Sequence, residues 1–160
     1  MVAPATALVL GYGRDPASAH ALGVAADLAR RLNAHLHVVH GVDLGDYPAD
    51  PDAADWEEQG RRTLAEQRQA VRTALDRLGQ PWTYHAARGE PAALIAAVAD
   101  RYDAVMIIVG TRGEGYRAAL DRLLGGSVSH RVIGHQHRPV LVVPAPRHDR
   151  PGAGPHDGRW

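Results

Sequence analysis

The chain contains no cysteine, and this absence excludes two kinds of stabilising structure. Neither a disulfide framework nor a thiolate metal site can form. The sequence also lacks an apolar run long enough to cross a membrane, and it shows no export signal. We therefore expect a cytoplasmic protein that does not bind a membrane.

An excess of charge of either sign is also missing. The chain has 18 basic and 18 acidic side chains, and every basic one is arginine, spread along the sequence among the acids. Proteins that bind nucleic acid or a membrane surface gather their basic residues into a patch, so this balance argues against both functions. At 160 residues the chain has the length of one domain with its own core.

Short apolar runs alternate with helical patterns along the sequence. The runs that we predict to be β-strands are Thr6–Leu10, His35–Val39, Trp82–Arg88, Ala104–Val109 and Val140–Val143. This alternation predicts an α/β fold with an open, doubly wound, five-stranded parallel sheet in the order 3-2-1-4-5. We predict that residues 1–144 form this domain. Residues 145–160 have too few apolar side chains to pack, which predicts a disordered tail.

Proline, asparagine and glycine mark the predicted helix ends. An acid followed by Pro16 predicts the start of the first helix, and Asn33 predicts its end. Gly79 is predicted to end the second helix, and the turn Gly89–Pro91 is predicted to begin the third. A short fourth helix is predicted over Ser127–Ile133.

Two glycine-rich segments follow the first and fourth predicted strands. They read GYGRDP from Gly11 and GTRGEG from Gly110. In the predicted order the chain reverses direction between these strands, and such sheets bind ligands in the crevice outside the carboxyl ends of the strands there. Glycine lets a backbone approach a ligand closely, and a following helix start offers unpaired amides to an anion. A phosphate cradle is one interpretation, and the ordinary need of strand–helix loops for glycine is the other.

Three larger side chains in or just after these segments also have two interpretations each. Tyr12 would either stack on a base or pack at the sheet edge, and we favour packing. Arg112 and Arg117 would either meet phosphates or stay solvated, as most arginines in exposed loops do.

Several motifs occur in order between Thr6 and Val143. They are ADLARRLNAHLHVVH through the first helix and second strand, RGEP before the third helix, and the closing motifs IIVGTRG, GGSVSHRVI and RPVLVVP. Together they resemble the universal stress protein family. The resemblance implies a Rossmann-like, adenine nucleotide alpha hydrolase-like fold, a homodimer, and a stress-linked regulator or sensor. The family includes members that bind ATP and members that do not.

ATP-binding members of that family carry the pattern G-x-x-G, nine residues, then G-S/T, with the phosphates lying on those residues. Gly110 and Gly113 match the first pair, Gly126 and Ser127 match the second, and Ser129 follows. The resemblance implies that ATP binds here with Mg²⁺ neutralising its phosphates, and that glycines at the ends of the first two strands border the base and ribose. The predicted binding residues are Gly11, Gly13, Gly41, Val109, Gly110, Arg112, Gly113, Gly126, Ser127, Val128 and Ser129.

Two departures from the family pattern leave ATP binding open. Twelve residues separate Gly113 from Gly126, where the pattern has nine. The extra residues amount to nearly one helical turn, which either is absorbed in a lid helix or fills the phosphate site. At the end of the first strand, Gly13 stands where ATP-binding members usually have an aspartate that reaches the nucleoside. Asp15 would serve there only with a shift of the alignment.

The ten histidines suggest a metal site as an alternative. His35 and His37 lie on the same face of a predicted strand, and His135 and His137 repeat that spacing. No carboxylate accompanies them at a defined spacing, so we interpret the pattern as mostly accidental and predict no metal site.

Two further alternatives concern what the protein does. Nucleotidyl-transferring enzymes of this architecture carry an H-x-G-H type motif after the first strand. This chain has GYGRDP there, with no Ser/His/Asp or paired-carboxylate arrangement, so we predict no dedicated catalysis and at most slow ATP hydrolysis. The other alternative is a dimeric interaction module that binds no nucleotide. In either case we predict that the apolar edge strand Val140–Val143 pairs with its copy in a second subunit. The sequence identifies no other protein partner.

Overall fold

The computed structural model describes residues 6–13, 16–42, 55–110 and 138–146. Its strands are β1 (Ala7–Tyr12), β2 (His35–Val42), β3 (Trp82–Arg88), β4 (Met106–Gly110) and β5 (Val140–Val143). They form one parallel sheet with the order β3-β2-β1-β4-β5. The predicted fold class and strand order are confirmed.

Helices follow the first three strands, and local sequence signals set their ends. They are α1 (Pro16–Leu32), α2 (Trp56–Leu75) and α3 (Pro91–Arg101), with a 3₁₀ turn (Asp76–Leu78) after α2. α1 begins at Pro16 as predicted and ends before Asn33, whose φ of 49° is left-handed. Gly79, with a φ of 64°, ends the second helical segment in the same conformation.

Some sequence predictions lie outside the described residues. These are the acid that precedes α1, the helix over Ser127–Ile133, and residues 147–160 of the tail. Within the described ranges, none of the helices combines the length and the apolar composition needed to cross a membrane.

The bounds of β1, β2 and β4 differ from the prediction by one to three residues, because backbone hydrogen bonds set them. β1 and β2 continue beyond their predicted ends, to Tyr12 and Val42, since their last residues stay in register with the neighbouring strands. β4 begins later than predicted, at Met106. The Ala104 N–H donates instead to the Ala99 carbonyl oxygen (2.9 Å), which closes the end of α3.

Apolar side chains cover both faces of the sheet. α1 and α2 lie on one face, and α3 lies on the other. Buried on the α1–α2 side are Leu8, Leu10, Leu36, Val38 and Ile108. Buried on the α3 side are Val9, Val39, Ile107 and Val109. Consecutive strand residues point to opposite faces, so β1 and β4 are apolar in both directions, as interior strands of a parallel sheet are.

Arg138 holds the start of β5 against the turn between α3 and β4. Its Nε donates to the Ala104 carbonyl oxygen (2.7 Å), and its Nη1 and Nη2 donate to the carboxylates of Asp100 (2.6 Å) and Asp103 (3.4 Å). The Arg138 side chain is 18 % exposed, so these bonds are shielded from water on the arginine side. The edge strand is thus anchored by a residue that sequence reasoning did not single out.

Candidate functional site

β1 and β4 lie side by side at the point where the chain reverses its direction across the sheet. Gly11 and Val109 form a register pair at their carboxyl ends. β2 extends the sheet on one side of this pair, and β5 extends it on the other. The predicted switch point between the first and fourth strands is therefore confirmed, and doubly wound sheets bind ligands at this position.

α1 approaches the end of β4 closely because Gly110 has no side chain. A Cβ atom added at Gly110 would lie 2.8 Å from the Ala17 carbonyl oxygen and 3.3 Å from the Ala21 Cβ atom. The first of these distances is a collision with backbone, so the helix can lie here only against glycine. The Gly13 N–H also donates to the Ser18 hydroxyl oxygen (3.0 Å), which ties the exit of β1 to the first turn of α1.

Two further glycines let α3 lie against the ends of β1 and β2 on the opposite face. A Cβ atom added at Gly11 would lie 2.7 Å from the Ile95 Cδ1 atom, and one added at Gly41 would lie 3.1 Å from the Pro91 Cγ atom. α3 begins here, and the Glu90 carboxylate accepts a hydrogen bond from a backbone N–H of its first turn (2.8 Å). Helix packing against backbone therefore accounts for Gly110 and Gly41, whereas the atom nearest to Gly11 is the end of a side chain that can rotate away.

The N-terminal turns of α1 and α3 thus reach the carboxyl ends of the strands from opposite faces. Unpaired amides give such turns a partial positive charge. The Glu90 carboxylate offsets part of this charge at α3. Neither α1 nor α3 has an acidic residue in its first turn. Asp15 precedes α1 in the sequence as Glu90 precedes α3, so the two helix ends do not differ in this respect.

The structure describes only part of the predicted binding set. Described are Gly11, Gly13, Gly41, Val109 and Gly110, which lie at or just beyond the ends of β1, β2 and β4. The four glycines are half-buried, whereas the Val109 side chain is buried in the α3-side core and offers only its backbone to a ligand. Outside the described residues lie Arg112, Gly113, Gly126, Ser127, Val128 and Ser129. The binding role of both groups stays a prediction.

Comparison with known protein families identifies the family of this chain. The model of the universal stress protein family matches residues 6–144. The chain belongs to the universal stress protein family. A relative from Methanocaldococcus jannaschii, itself named a universal stress protein, is 30% identical over 127 residues, which cover 77% of this chain and 72% of the relative. Another, from Mycobacterium tuberculosis, is 31% identical over 155 residues, which cover 93% of this chain and 50% of the relative. The chain thus spans about half the length of that second relative.

Solved universal stress proteins share the fold of this one. A protein from Arabidopsis thaliana with AMP bound superposes with a TM-score of 0.60 at 16% identity, covering 88% of this chain and 92% of that one. A universal stress protein in complex with cAMP gives 0.57 at 22% identity, with 90% and 100% covered. The protein from Archaeoglobus fulgidus in complex with dAMP gives 0.53 at 23% identity, with 88% and 99% covered.

In this universal stress protein, Tyr12 packs beside His40 near the end of β1. Tyr12 is half-buried against the α1–α2-side core, as the favoured interpretation of this residue predicted. His40 is 2 % exposed, and its Nδ1–H donates to the Tyr12 carbonyl oxygen (3.1 Å). The ring centroids of Tyr12 and His40 are 6.4 Å apart. Sequence reasoning missed His40, because only the register of β1 and β2 brings it opposite Tyr12.

His35 and His37 lie on one face of β2, as predicted, and the neighbouring strand adds a third histidine. His37 Nδ1 lies 3.0 Å from the Nε2 atom of His85, on β3. In the described part of this universal stress protein, no group of three or more histidine or acidic side chains is arranged to hold a metal ion. The second predicted pair, His135 and His137, lies outside that part.

Proposed function

We propose that this universal stress protein is a cytoplasmic stress-response regulator that binds an adenine nucleotide, ATP in particular, at the carboxyl ends of β1 and β4. The observation that carries this proposal is the first turn of α1 lying directly against Gly110 at the switch point of the sheet. A helix N-terminus close to a glycine backbone supports this proposal, because both favour the approach of an anion. Relatives with the same fold have been solved with AMP, dAMP and cAMP bound.

The two halves of the proposed site have different support. On the base and ribose side, the backbones of Gly11, Gly13 and Gly41 lie at the strand ends. On the phosphate side, Gly113, Gly126, Ser127 and Ser129 would complete the cradle that Gly110 begins, with Arg112 and the backbone of Val128 beside them. Mg²⁺ would neutralise the phosphates. We propose binding and not catalysis as the activity, with ATP hydrolysis at most a slow side reaction.

Isothermal titration with ATP and Mg²⁺ tests this function. We expect saturable binding by the full chain, and at least a tenfold weaker affinity in Gly126→Val and Ser127→Ala, because the first fills the cradle and the second removes a phosphate donor. Gly23→Ala is the control. Gly23 is exposed on α1 with no atom within 4 Å of an added Cβ, so this variant should bind normally. The purified protein should also be searched by mass spectrometry for bound nucleotide.

The absence of heat up to millimolar ATP, together with no co-purified nucleotide, would contradict ATP binding. The alternative of a dimeric interaction module would then be favoured. Titration with AMP and cAMP alongside ATP distinguishes a general adenine-nucleotide site from one that requires the triphosphate.

We further propose that the protein forms a homodimer through β5. β5 stands at one end of the sheet and, among the described strands, pairs with β4 alone. The Ile107 N–H donates to the Pro139 carbonyl oxygen (3.0 Å), so in parallel pairing the odd-numbered residues of β5 bond to β4. The N–H groups of Val140 and Val142 consequently point to the open edge. An apolar edge strand with free N–H groups pairs readily with another strand.

Val142→Pro tests the dimer because it removes one of these outward N–H groups and leaves the β4 ladder intact. We expect this variant to sediment as a monomer in analytical ultracentrifugation while the unsubstituted protein sediments as a dimer. Val142→Thr keeps both the N–H group and the β-branched shape, so it should remain dimeric. A dimer that survives in Val142→Pro, in protein whose circular dichroism spectrum is unchanged, would show that β5 is not the interface.

A further inference from the structure

Two histidines and a tyrosine form a stack at the C-terminal end of α3. His37, on β2, is 3 % exposed. The centroid of its ring lies 4.4 Å from that of His35 and 3.9 Å from that of Tyr102, with interplanar angles of 18° and 20°. Tyr102 is the C-cap residue of α3. The stack therefore joins the end of this helix to β2.

His85, on the edge strand β3, joins this stack through a hydrogen bond between two imidazole rings. The His37 Nδ1 and His85 Nε2 atoms are 3.0 Å apart. One nitrogen must donate a proton and the other must accept it with a lone pair, so at least one ring must be neutral. Protonation of both rings would set two N–H groups and two positive charges against each other. We call His35, His37, His85 and Tyr102 the histidine cluster.

The groups that surround the histidine cluster do not compensate an added positive charge. From β3, the Thr83 hydroxyl hydrogen-bonds to His35 Nε2 (2.8 Å). From α3, the guanidinium carbon of Arg101 lies 5.7 Å from the Tyr102 ring centroid, so the nearby charge is itself positive. The acids on the same segment, Asp100 and Asp103, hydrogen-bond to Arg138. Within the described ranges, the hydrogen bonds of the cluster histidines reach another histidine and a threonine, not a carboxylate.

Burial and mutual repulsion both oppose protonation of the cluster. Burial lowers the pKa of His37 to about 4, and the charges of His35 and His85 act in the same direction. The pKa of His85 is lowered first by burial and then by the positive charge of Arg101. Burial lowers the pKa of His35 as well. A histidine released into water has a pKa of about 6.5. Between pH values of about 6.5 and about 4, the released state therefore binds protons that the packed state does not. Acid consequently favours release.

We propose that the histidine cluster is an acid-sensitive clasp. With neutral rings it holds the C-terminal end of α3 and the edge strand β3 against β2, and on acidification it releases them. Tyr102 is 38 % exposed and β3 lies at an edge, so this corner opens at a lower free-energy cost than the central strands do. The clasp itself does not depend on the nucleotide site. A consequence that does rest on the proposed function is that release would move α3, which packs on Gly11 and Gly41 at that site.

Native-state hydrogen exchange at pH 7.5 and pH 5.0, corrected for the intrinsic exchange rate of each amide, tests the clasp without any nucleotide. We expect the opening constant of amides in residues 98–104 and 83–87 to rise about tenfold or more at the lower pH, since one proton bound on release shifts the equilibrium up to about tenfold per pH unit. Amides of the central strand β1 should change less.

His37→Phe keeps an aromatic ring in the stack and removes the titrating group, so it should abolish most of this pH response. His85→Gln removes the second titrating ring at a half-exposed position and serves if the first variant does not fold. His20→Gln, which removes an exposed histidine of α1, should keep the response. The clasp is wrong if residues 98–104 and β1 open with the same pH dependence, or if folded His37→Phe or His85→Gln responds as the unsubstituted protein does. ATP affinity over the same pH range is a separate measurement, so failure of nucleotide binding leaves this test intact.

Discussion

Replacing Leu10 with alanine should lower the free energy of unfolding by about 2 to 5 kcal/mol. Leu10 is 0 % exposed and lies in β1, between β2 and β4, with α1 packed over it. The surrounding strands are fixed by parallel pairing on both sides, so they cannot collapse to fill the space left by the lost methyl groups. Urea denaturation followed by circular dichroism measures this change.

The same substitution at an exposed leucine provides the control. Leu32, at the end of α1, is 46 % exposed, and Leu32→Ala should change the free energy of unfolding by about 0.5 kcal/mol or less. An equal decrease of the free energy of unfolding in the two variants would show that β1 is not at the centre of the core.

Adding one methyl group at Gly110 should lower the free energy of unfolding by about 1 to 3 kcal/mol. The new Cβ atom would meet the Ala17 carbonyl oxygen at 2.8 Å, and a backbone atom cannot rotate away as a side chain can. The first turn of α1 must move outward to admit the methyl group. Because that turn also forms one wall of the proposed nucleotide site, Gly110→Ala should weaken ATP binding as well.

Gly23→Ala is the matched control, and we expect it to raise the free energy of unfolding. Gly23 lies on the exposed side of α1, where an added Cβ meets no atom within 4 Å. Alanine there stabilises the helix by about 0.5 to 1 kcal/mol, because it restricts the unfolded chain and creates no collision. Thermal and urea unfolding of both variants measure the two changes in the free energy of unfolding. A stabilised Gly110→Ala would show that α1 does not approach β4 as closely as the structure has it.

The glycines of the candidate site show how far a sequence pattern can be interpreted. Sequence reasoning placed Gly11, Gly41 and Gly110 at strand exits, and the structure has them there. The structure adds that Gly110 faces α1, whereas Gly11 and Gly41 face α3. A glycine has no side chain to reveal which neighbour it accommodates, so the sequence cannot distinguish helix packing from ligand contact. The two explanations are also compatible, because close helix packing is what brings the helix N-termini to the strand ends.

Only part of the histidine cluster could be predicted from the sequence. The pairing of His35 with His37 on one face of β2 follows from the two-residue period of a strand. His85 and Tyr102 are distant in sequence. His85 joins the pair because β3 lies beside β2 in one particular register, and Tyr102 joins it because α3 ends above that face of the sheet. In that register Val39 stands opposite His85. A shift by one residue would turn His85 to the other face of the sheet.

The sequence by itself determined the element order, the parallel sheet, the strand order and the family. Alternating apolar runs, helix-ending residues such as Asn33 and Gly79, and the ordered motifs are local signals, and parallel crossovers have one preferred hand. Only the tertiary structure decided which helix lies on which glycine, that Arg138 anchors β5, and that histidines from two strands meet at the end of α3. These features depend on register and on contacts between residues far apart in the chain, such as Gly110 with Ala17 and His37 with His85, which no local pattern specifies.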